Sequence, residues 1–302
     1  MMSRYLTAGV VVGSSLMAQA PAPTQADVAY GTNRRNLLDF WRGDNKGKPT
    51  PVIVLFHGGH FAGGDKASFR GSPLLGPMLA SGASVIAVSY RPLRMAPVQD
   101  IVRDGARAVQ FIRSKAKNWN LDRERIGAFG ITSGGTMALW VGLHDDLADP
   151  RAADPVARES SRLRAVAAQS PQFTYDVLQW SDVIGVPYDK FFPDAWTLFG
   201  LASDEDLRGD QGRELRAAVD VRALISRDDP PVYLFSPQRG GTPDDRVRYL
   251  NHPVNARSLK SRCDAMGVRA VLYNPAEGGS APPGGNDLAV VDFLLRELEL
   301  RR

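Results

Sequence analysis

Ala128-Phe129-Gly130-Ile131-Thr132-Ser133-Gly134-Gly135-Thr136 is the stretch on which the rest of the reading hangs. Arg125 to Phe129 before it reads as a short strand, and Ser133 to His144 (SGGTMALWVGLH) reads as a buried helix. That leaves room only for a sharp turn. Small residues two before and two after the apex let strand and helix approach, and Gly130 and Gly134 bracket Thr132 in that spacing. Making Ser133 the apex would put Ile131 where a small residue is needed. Thr132 is therefore expected at the apex, with a positive φ that is an outlier for a β-branched residue and costs on the order of 1–3 kcal/mol. Turns of this kind present a nucleophile, and here the extra methyl of threonine would crowd an approaching carbonyl carbon. Ser133 would offer its backbone N–H to an oxyanion.

Working outward, strand and helix keep alternating. Pro51 to Phe56 and Ser84 to Tyr90 are apolar, β-branched strands, and Val98 to Ala116 is a helix with Ile101, Ala108, Val109 and Ile112 at helical spacing. Beyond the turn come strands at 163–168, 232–236 and 268–274, with helices at 255–266 and 288–300. Such alternation predicts an α/β fold with a mostly parallel sheet, helices on both faces, and a ligand site at the carboxyl ends of the strands. A long insertion at about 171–229 holds eight aromatics within residues 171–200: Phe173, Tyr175, Trp180, Tyr188, Phe191, Phe192, Trp196 and Phe199. They form either a cap over an apolar pocket or the packing of the insertion onto the sheet.

Composition narrows the function classes. The 302 residues are 43% hydrophobic and 23% charged, as in an ordinary folded chain. Thirty-seven basic and 33 acidic residues give a formal charge of +4, and they are interspersed rather than striped, which argues against nucleic acid as a partner. The lone Cys263 excludes an intrachain disulfide. His144, in HDDLADP, sits among three carboxylates, but the spacing matches no metal loop, so neither a metal nor a cofactor is expected. A His at a helix end, facing the C-terminal dipole, suffices there.

Residues 1–20 carry Arg4, an apolar stretch through Val10 to Val12, and Ala18 and Ala20 in the spacing of a signal-peptidase site. They predict a signal peptide and export to the periplasm or beyond, with no stable membrane span, although Pro21 weakens the cleavage site. Residues 21–27 read as a linker, and 28–302 as the folded domain.

A second motif follows the first central strand: His57-Gly58-Gly59-His60-Phe61, with Gly63 and Gly64. Glycines there can turn amides inward to hold negative charge on a carbonyl oxygen, while His57 braces the loop and His60 lines the pocket. Followed some 75 residues later by the turn at Thr132, the motif is specific.

With HGGHFAGGDK from His57, SYRP from Ser89, PVQDIVRDGARAVQFIR from Pro97, the turn at Thr132 and PPVYLF from Pro230, the chain resembles the α/β-hydrolase superfamily. The likeness is to its HGG-motif branch of carboxylesterases, hormone-sensitive-lipase-like and feruloyl-esterase-like enzymes, over roughly residues 28–302. The resemblance implies that Thr132 falls on the nucleophile serine and that Gly58, Gly59 and Ser133 fall on the oxyanion-hole amides. It also implies an acid after the 232–236 strand, where alignment puts Gly240; Asp244 or Asp245, a few residues on, are the alternatives. The base should follow the last strand, yet residues 274–280 (NPAEGGS) hold no histidine. His252 is the only late candidate. Two readings stay open: a hydrolase of carboxylic esters acting through an acyl-enzyme at Thr132 or Ser133, or an inactive relative that binds a small ester or other apolar ligand.

Overall fold

Eight strands form one sheet in the order β1-β2-β4-β3-β5-β6-β7-β8 in this computed structural model, which describes residues 21–278, 282 and 284–301. The strands are β1 (Gln25–Ala29), β2 (Leu37–Trp41), β3 (Thr50–Phe56), β4 (Ser84–Val88), β5 (Leu121–Ile131), β6 (Ala165–Gln169), β7 (Val232–Phe235) and β8 (Ala270–Tyr273). From β4 to β8 every pairing is parallel, whereas β2 runs antiparallel to both β1 and β4. The mostly parallel sheet expected from the alternation is present.

The helices are α1 (Leu75–Ala80), α2 (Val98–Ser114), α3 (Ala116–Trp119), α4 (Ser133–Leu143), α5 (Val177–Ile184), α6 (Asp204–Arg208), α7 (Asp210–Ala217), α8 (Val221–Leu224), α9 (Arg246–Leu250), α10 (Val254–Met266) and α11 (Gly285–Glu297). The apolar alternation of β3 divides the core. Val52, Val54 and Phe56 join the cluster under α2, α4 and the insertion, while Ile53 and Leu55 join the cluster under α1 and α11. All five are fully buried, which is why the strand reads as a continuous apolar run rather than an alternating one. α4 is buried along its whole length, because it lies at the centre of the first face.

Three expectations change. The presumed linker 21–27 supplies Gln25, Ala26 and Asp27 to β1, held by Asp27 pairing with Lys66 at 2.6 Å and by Trp41 Nε1 donating to the Pro21 carbonyl at 2.7 Å. The short strand before the turn is eleven residues long, since β5 is the sheet's central strand between β3 and β6. The aromatics of the insertion do both things considered for them. Phe173, Tyr188 and Phe199 are buried in the main core, while Tyr175, Trp180 and Phe192 also line a pocket above α4. The signal peptide at 1–20 lies outside the described residues. Among those described, no helix is long and apolar enough to cross a membrane.

Candidate active site

β5 ends at Ile131 and α4 begins at Ser133, leaving Thr132 alone in the turn at φ 51°, ψ −118°. Positive φ at a threonine is a strained state. The neighbours hold it there: the Thr132 amide donates to the Gln169 carbonyl at 2.7 Å, and its carbonyl accepts from the Thr136 amide at 2.9 Å. The bracketing glycines explain why the turn can close. A Cβ on Gly130 would overlap the Gly134 carbonyl, and one on Gly134 would overlap the carbonyls of Phe56 and His57. Strand, helix and the HGG loop therefore meet at backbone contact, with Thr132 at the apex and Ser133 as the first residue of the helix.

The HGG loop lies directly against the apex. A Cβ on Gly58 would come within 2.6 Å of Thr132 Oγ1, so only glycine lets the loop approach that hydroxyl. Gly59 sits at φ 121°, and its carbonyl accepts from the Ala62 amide at 2.9 Å, closing a tight turn. Among the described residues, the amides of Gly58, Gly59 and Ser133 donate to no protein acceptor. Free amides beside a hydroxyl on a helix N-terminus are the elements of an oxyanion site.

His57 braces this loop. Its Nδ1 bonds the Gly58 carbonyl at 2.7 Å, which makes Nδ1 the protonated nitrogen, and its ring stacks on Tyr90 with centroids 4.2 Å apart. Tyr90 in turn donates its hydroxyl to the His57 carbonyl. Burial holds the His57 pKa below the usual imidazole value, so the ring is neutral. Beneath the loop, Asp39 is fully buried and paired with Lys66 at 3.3 Å and Arg70 at 2.8 Å. Arg35 donates to the Gly64 carbonyl at 2.6 Å and pairs with Asp65. Tyr90 was the bracing residue not picked out in the sequence, although it stands in the SYRP segment.

The residues proposed for acid and base lie elsewhere in local bonding. Asp244 is exposed and pairs with Arg248 at 2.7 Å, which holds its carboxyl below the usual range. Asp245 caps α9 by accepting from the Arg248 amide at 2.8 Å. His252 is buried; its Nε2 donates to the Gly241 carbonyl at 3.0 Å and its Nδ1 accepts from the Val254 amide at 3.3 Å. Desolvation lowers its pKa. Both of its nitrogens are thus engaged in the turn before α10, and no imidazole among the described residues bonds the hydroxyl of Thr132 or Ser133. The loops after β7 and β8 do meet: a Cβ on Gly240 would lie 3.5 Å from Glu277 Oε1, and Glu277 pairs with Arg257 at 2.6 Å. His144 bonds the Asp145 carbonyl at 2.9 Å and packs on Trp140, as a helix-end histidine would.

A narrow pocket of about 20 Å³ opens beside the helix N-terminus. Phe61, Tyr175, Trp180 and Phe192 form its apolar wall, and Ser133, Gln172, His60 and Arg246 are its polar members. Gln172 is fixed by Thr136, which donates to its Oε1 at 3.1 Å, and by its own Nε2 donating to the Leu250 carbonyl at 3.0 Å. Gln172 and Arg246 carry no motif in the sequence; only the fold brings them here.

The family profile described as BD-FAE matches residues 38–186, just under half of the chain. A probable isoprenylcysteine alpha-carbonyl methylesterase of Arabidopsis thaliana is 28% identical over 139 residues, covering 46% of this chain and 29% of that protein. The chain thus spans less than a third of the length of that curated relative. A truncated carbohydrate esterase from gut microbiota superposes with a TM-score of 0.70 at 17% identity, covering 93% of this chain and 98% of the other. An acetyl ester-xyloside bifunctional hydrolase from Caldicellulosiruptor lactoaceticus gives 0.64 at 21% identity, covering 84% and 86%. The chain thus has the fold of these solved ester hydrolases and is similar to the methylesterase and the BD-FAE profile over part of its length.

Proposed function

We propose that the protein hydrolyses carboxylic esters, with Thr132 as the attacking hydroxyl and the amides of Gly58, Gly59 and Ser133 holding the oxyanion. In that step Thr132 Oγ1 bonds to the ester carbonyl carbon, its proton passes to a base, and the alcohol leaves; water then releases the acid. One observation carries the reading: Thr132 is held in a strained turn with Gly58 packed against its hydroxyl, an arrangement with a cost and no evident packing benefit. The names of its relatives, all esterases or ester hydrolases, support the same reaction class. His252, with Asp244 or Asp245, serves as base only if the loop before α10 releases it from Gly241. Export, inferred from residues 1–20, belongs to the same proposal.

A second reading, a protein that binds esters or apolar ligands without turning them over, is favoured by one feature. The acid and base loops meet through Gly240 and a Glu277–Arg257 pair rather than through an aspartate and a histidine. Hydrolysis of short p-nitrophenyl esters by wild type, Thr132→Ala, Ser133→Ala and Thr132→Ser separates the two. Turnover that Thr132→Ala abolishes and Thr132→Ser preserves or raises supports the hydrolase. An inert wild type with an equally inert Thr132→Ser supports the binding protein.

A further inference from the structure

The loop that presents the Gly58 and Gly59 amides is strained along its length. Gly59, His60, Phe61 and Gly64 all stand at positive φ, and two of them carry side chains. Such a segment does not hold its shape unaided, so its two ends must be fixed. The first end runs straight out of β3, with His57 Nδ1 bonded to the Gly58 carbonyl. The second end, Gly64, lies against that same bond: a Cβ there would fall 2.3 Å from His57 Nδ1 and 2.4 Å from the Gly58 oxygen. Among the described residues, one side chain bonds the Gly64 peptide. Arg35 Nη2 donates to its carbonyl at 2.6 Å, while Nη1 of the same guanidinium donates to Asp65 Oδ2 at 3.1 Å.

Arg35 is itself anchored in the turn between β1 and β2. Its amide donates to Asn33 Oδ1 at 2.9 Å, and its carbonyl accepts from the Leu37 amide at 2.9 Å. Buried Asn36 beside it donates to the Tyr30 hydroxyl, which donates to the Ser89 carbonyl at 2.7 Å. Ser89 Oγ in turn donates to Asp65 Oδ2 at 3.2 Å, so the carboxylate that receives the guanidinium is aligned from the end of β4. Arg35 Nε is buried without a protein partner, which leaves the two Nη bonds to aim the group. A lysine could make one of these bonds but not the fork.

We propose that Arg35 is the positioning residue of this loop: its forked bonds to Gly64 and Asp65 hold the Gly64 peptide on the His57–Gly58 turn and so keep the Gly58 and Gly59 amides beside Thr132. That those amides serve an oxyanion rests on the functional reading above; that Arg35 sets the loop does not. The groups facing His57 are Arg35, Asp65 and the stacked Tyr90 ring. Burial is the main reason its pKa lies below the ordinary imidazole value; the Arg35 charge lowers it further, and the Gly58 carbonyl and Asp65 oppose. Loosening the loop exposes His57, and removing the cation acts in the same direction, so its titration reports the clamp even in a protein that turns nothing over.

The chain has four histidines, so NMR of the whole protein carrying isotope-labelled histidine can follow His57, with His57→Gln assigning its signal. Wild type is compared with Arg35→Met, Arg35→Lys and, as a control, a change at the exposed neighbour, Arg34→Met. The clamp predicts a His57 midpoint that rises in Arg35→Met, rises less in Arg35→Lys and stays in place in Arg34→Met. Where esters are hydrolysed, Arg35→Met should lower kcat about tenfold with KM within about twofold, because aligned amides act in the transition state. An unmoved midpoint in Arg35→Met would overturn the proposal. So would a wild-type midpoint in Arg35→Lys, which would show that His57 feels the charge and not the fork, and this variant decides the matter if Arg35→Met does not fold. A rise in KM at constant kcat would also overturn it, by placing Arg35 on the substrate. An inert wild type would count against the hydrolase reading alone, and the titration would then decide the clamp.

Discussion

The two halves of the site are built to different tolerances. On the side of β3, β5 and α4, the chain is tightly constrained: backbone meets backbone at Gly130 and Gly134, Gly58 leaves no room for a side chain beside the Thr132 hydroxyl, and His57 is stacked on Tyr90 and bonded through Nδ1 to the Gly58 carbonyl. On the side of β7 and β8 the ion pairs are exposed or half-buried: Asp244 with Arg248 within the segment that leads into α9, and Glu277 with Arg257 of α10. A side chain there can be exchanged with little strain elsewhere. Under the proposed reading, the difference explains how oxyanion geometry would be held while the positions for proton transfer are free to vary: one would be fixed by packing, the other only by chemistry.

The comparison is broken most severely at Gly134. Gly134→Ala places a methyl on the carbonyls of Phe56 and His57, neither of which can move without parting strand from helix. A loss of about 3 kcal/mol or more is expected in urea unfolding, and a change below about 1 kcal/mol would mean that the close approach is not rigid. Tyr90→Phe should cost about 1–2 kcal/mol, because it strands the buried His57 carbonyl, and it should lower any ester turnover through the loop it braces. Equal turnover with lowered stability would limit Tyr90 to a packing role.

Thr132→Gly runs the other way. It relieves the positive φ and should stabilise the fold by about 1 kcal/mol, the strain relieved less the added chain entropy, while removing the hydroxyl. Destabilisation instead would mean that the threonine side chain packs usefully. On the opposite side of the comparison, Glu277→Gln breaks an ion pair whose side chains are 29% and 45% exposed, and a change within about 0.5 kcal/mol is expected. A large loss there would erase the contrast between the halves.

A pH series sharpens the comparison further. His57, His60 and His252 all have folded pKa values below the free imidazole value, burial being the first cause. The unfolded chain then takes up protons first, so their contribution to stability is intact above about pH 6.5 and falls as pH drops from there toward the folded values. His57→Gln should flatten that fall more than any surface substitution. An unchanged slope would show that another group carries it.

Much of this was legible in the sequence. The central strands announce themselves as apolar β-branched runs, and the turn at Thr132 follows from glycines two residues to either side. Packing demands leave such marks because they restrict residue type locally. β1 left none: QADVA is mostly exposed at the sheet edge, so no apolar alternation records it. The short helices α5 to α8 are held by contacts distant in sequence, as when Arg216 pairs with Asp176 at 2.8 Å. Arg246 and Gln172 are ordinary surface types in sequence and reach the pocket only through the insertion and α9. The acid and base positions were hardest, since their loops carry no local constraint and His252 shows its engagement with Gly241 only in three dimensions.

The central claim is that Thr132 carries the reactive hydroxyl of a preformed oxyanion site. Treating the protein with a fluorophosphonate and locating the adduct by peptide mass spectrometry tests it most directly, because phosphonylation needs the hydroxyl and the oxyanion amides together. The account predicts an adduct on Thr132 that Thr132→Ala abolishes and Thr132→Ser forms faster. An adduct on Ser133, or none on wild type while Thr132→Ser also stays unlabelled, would contradict it.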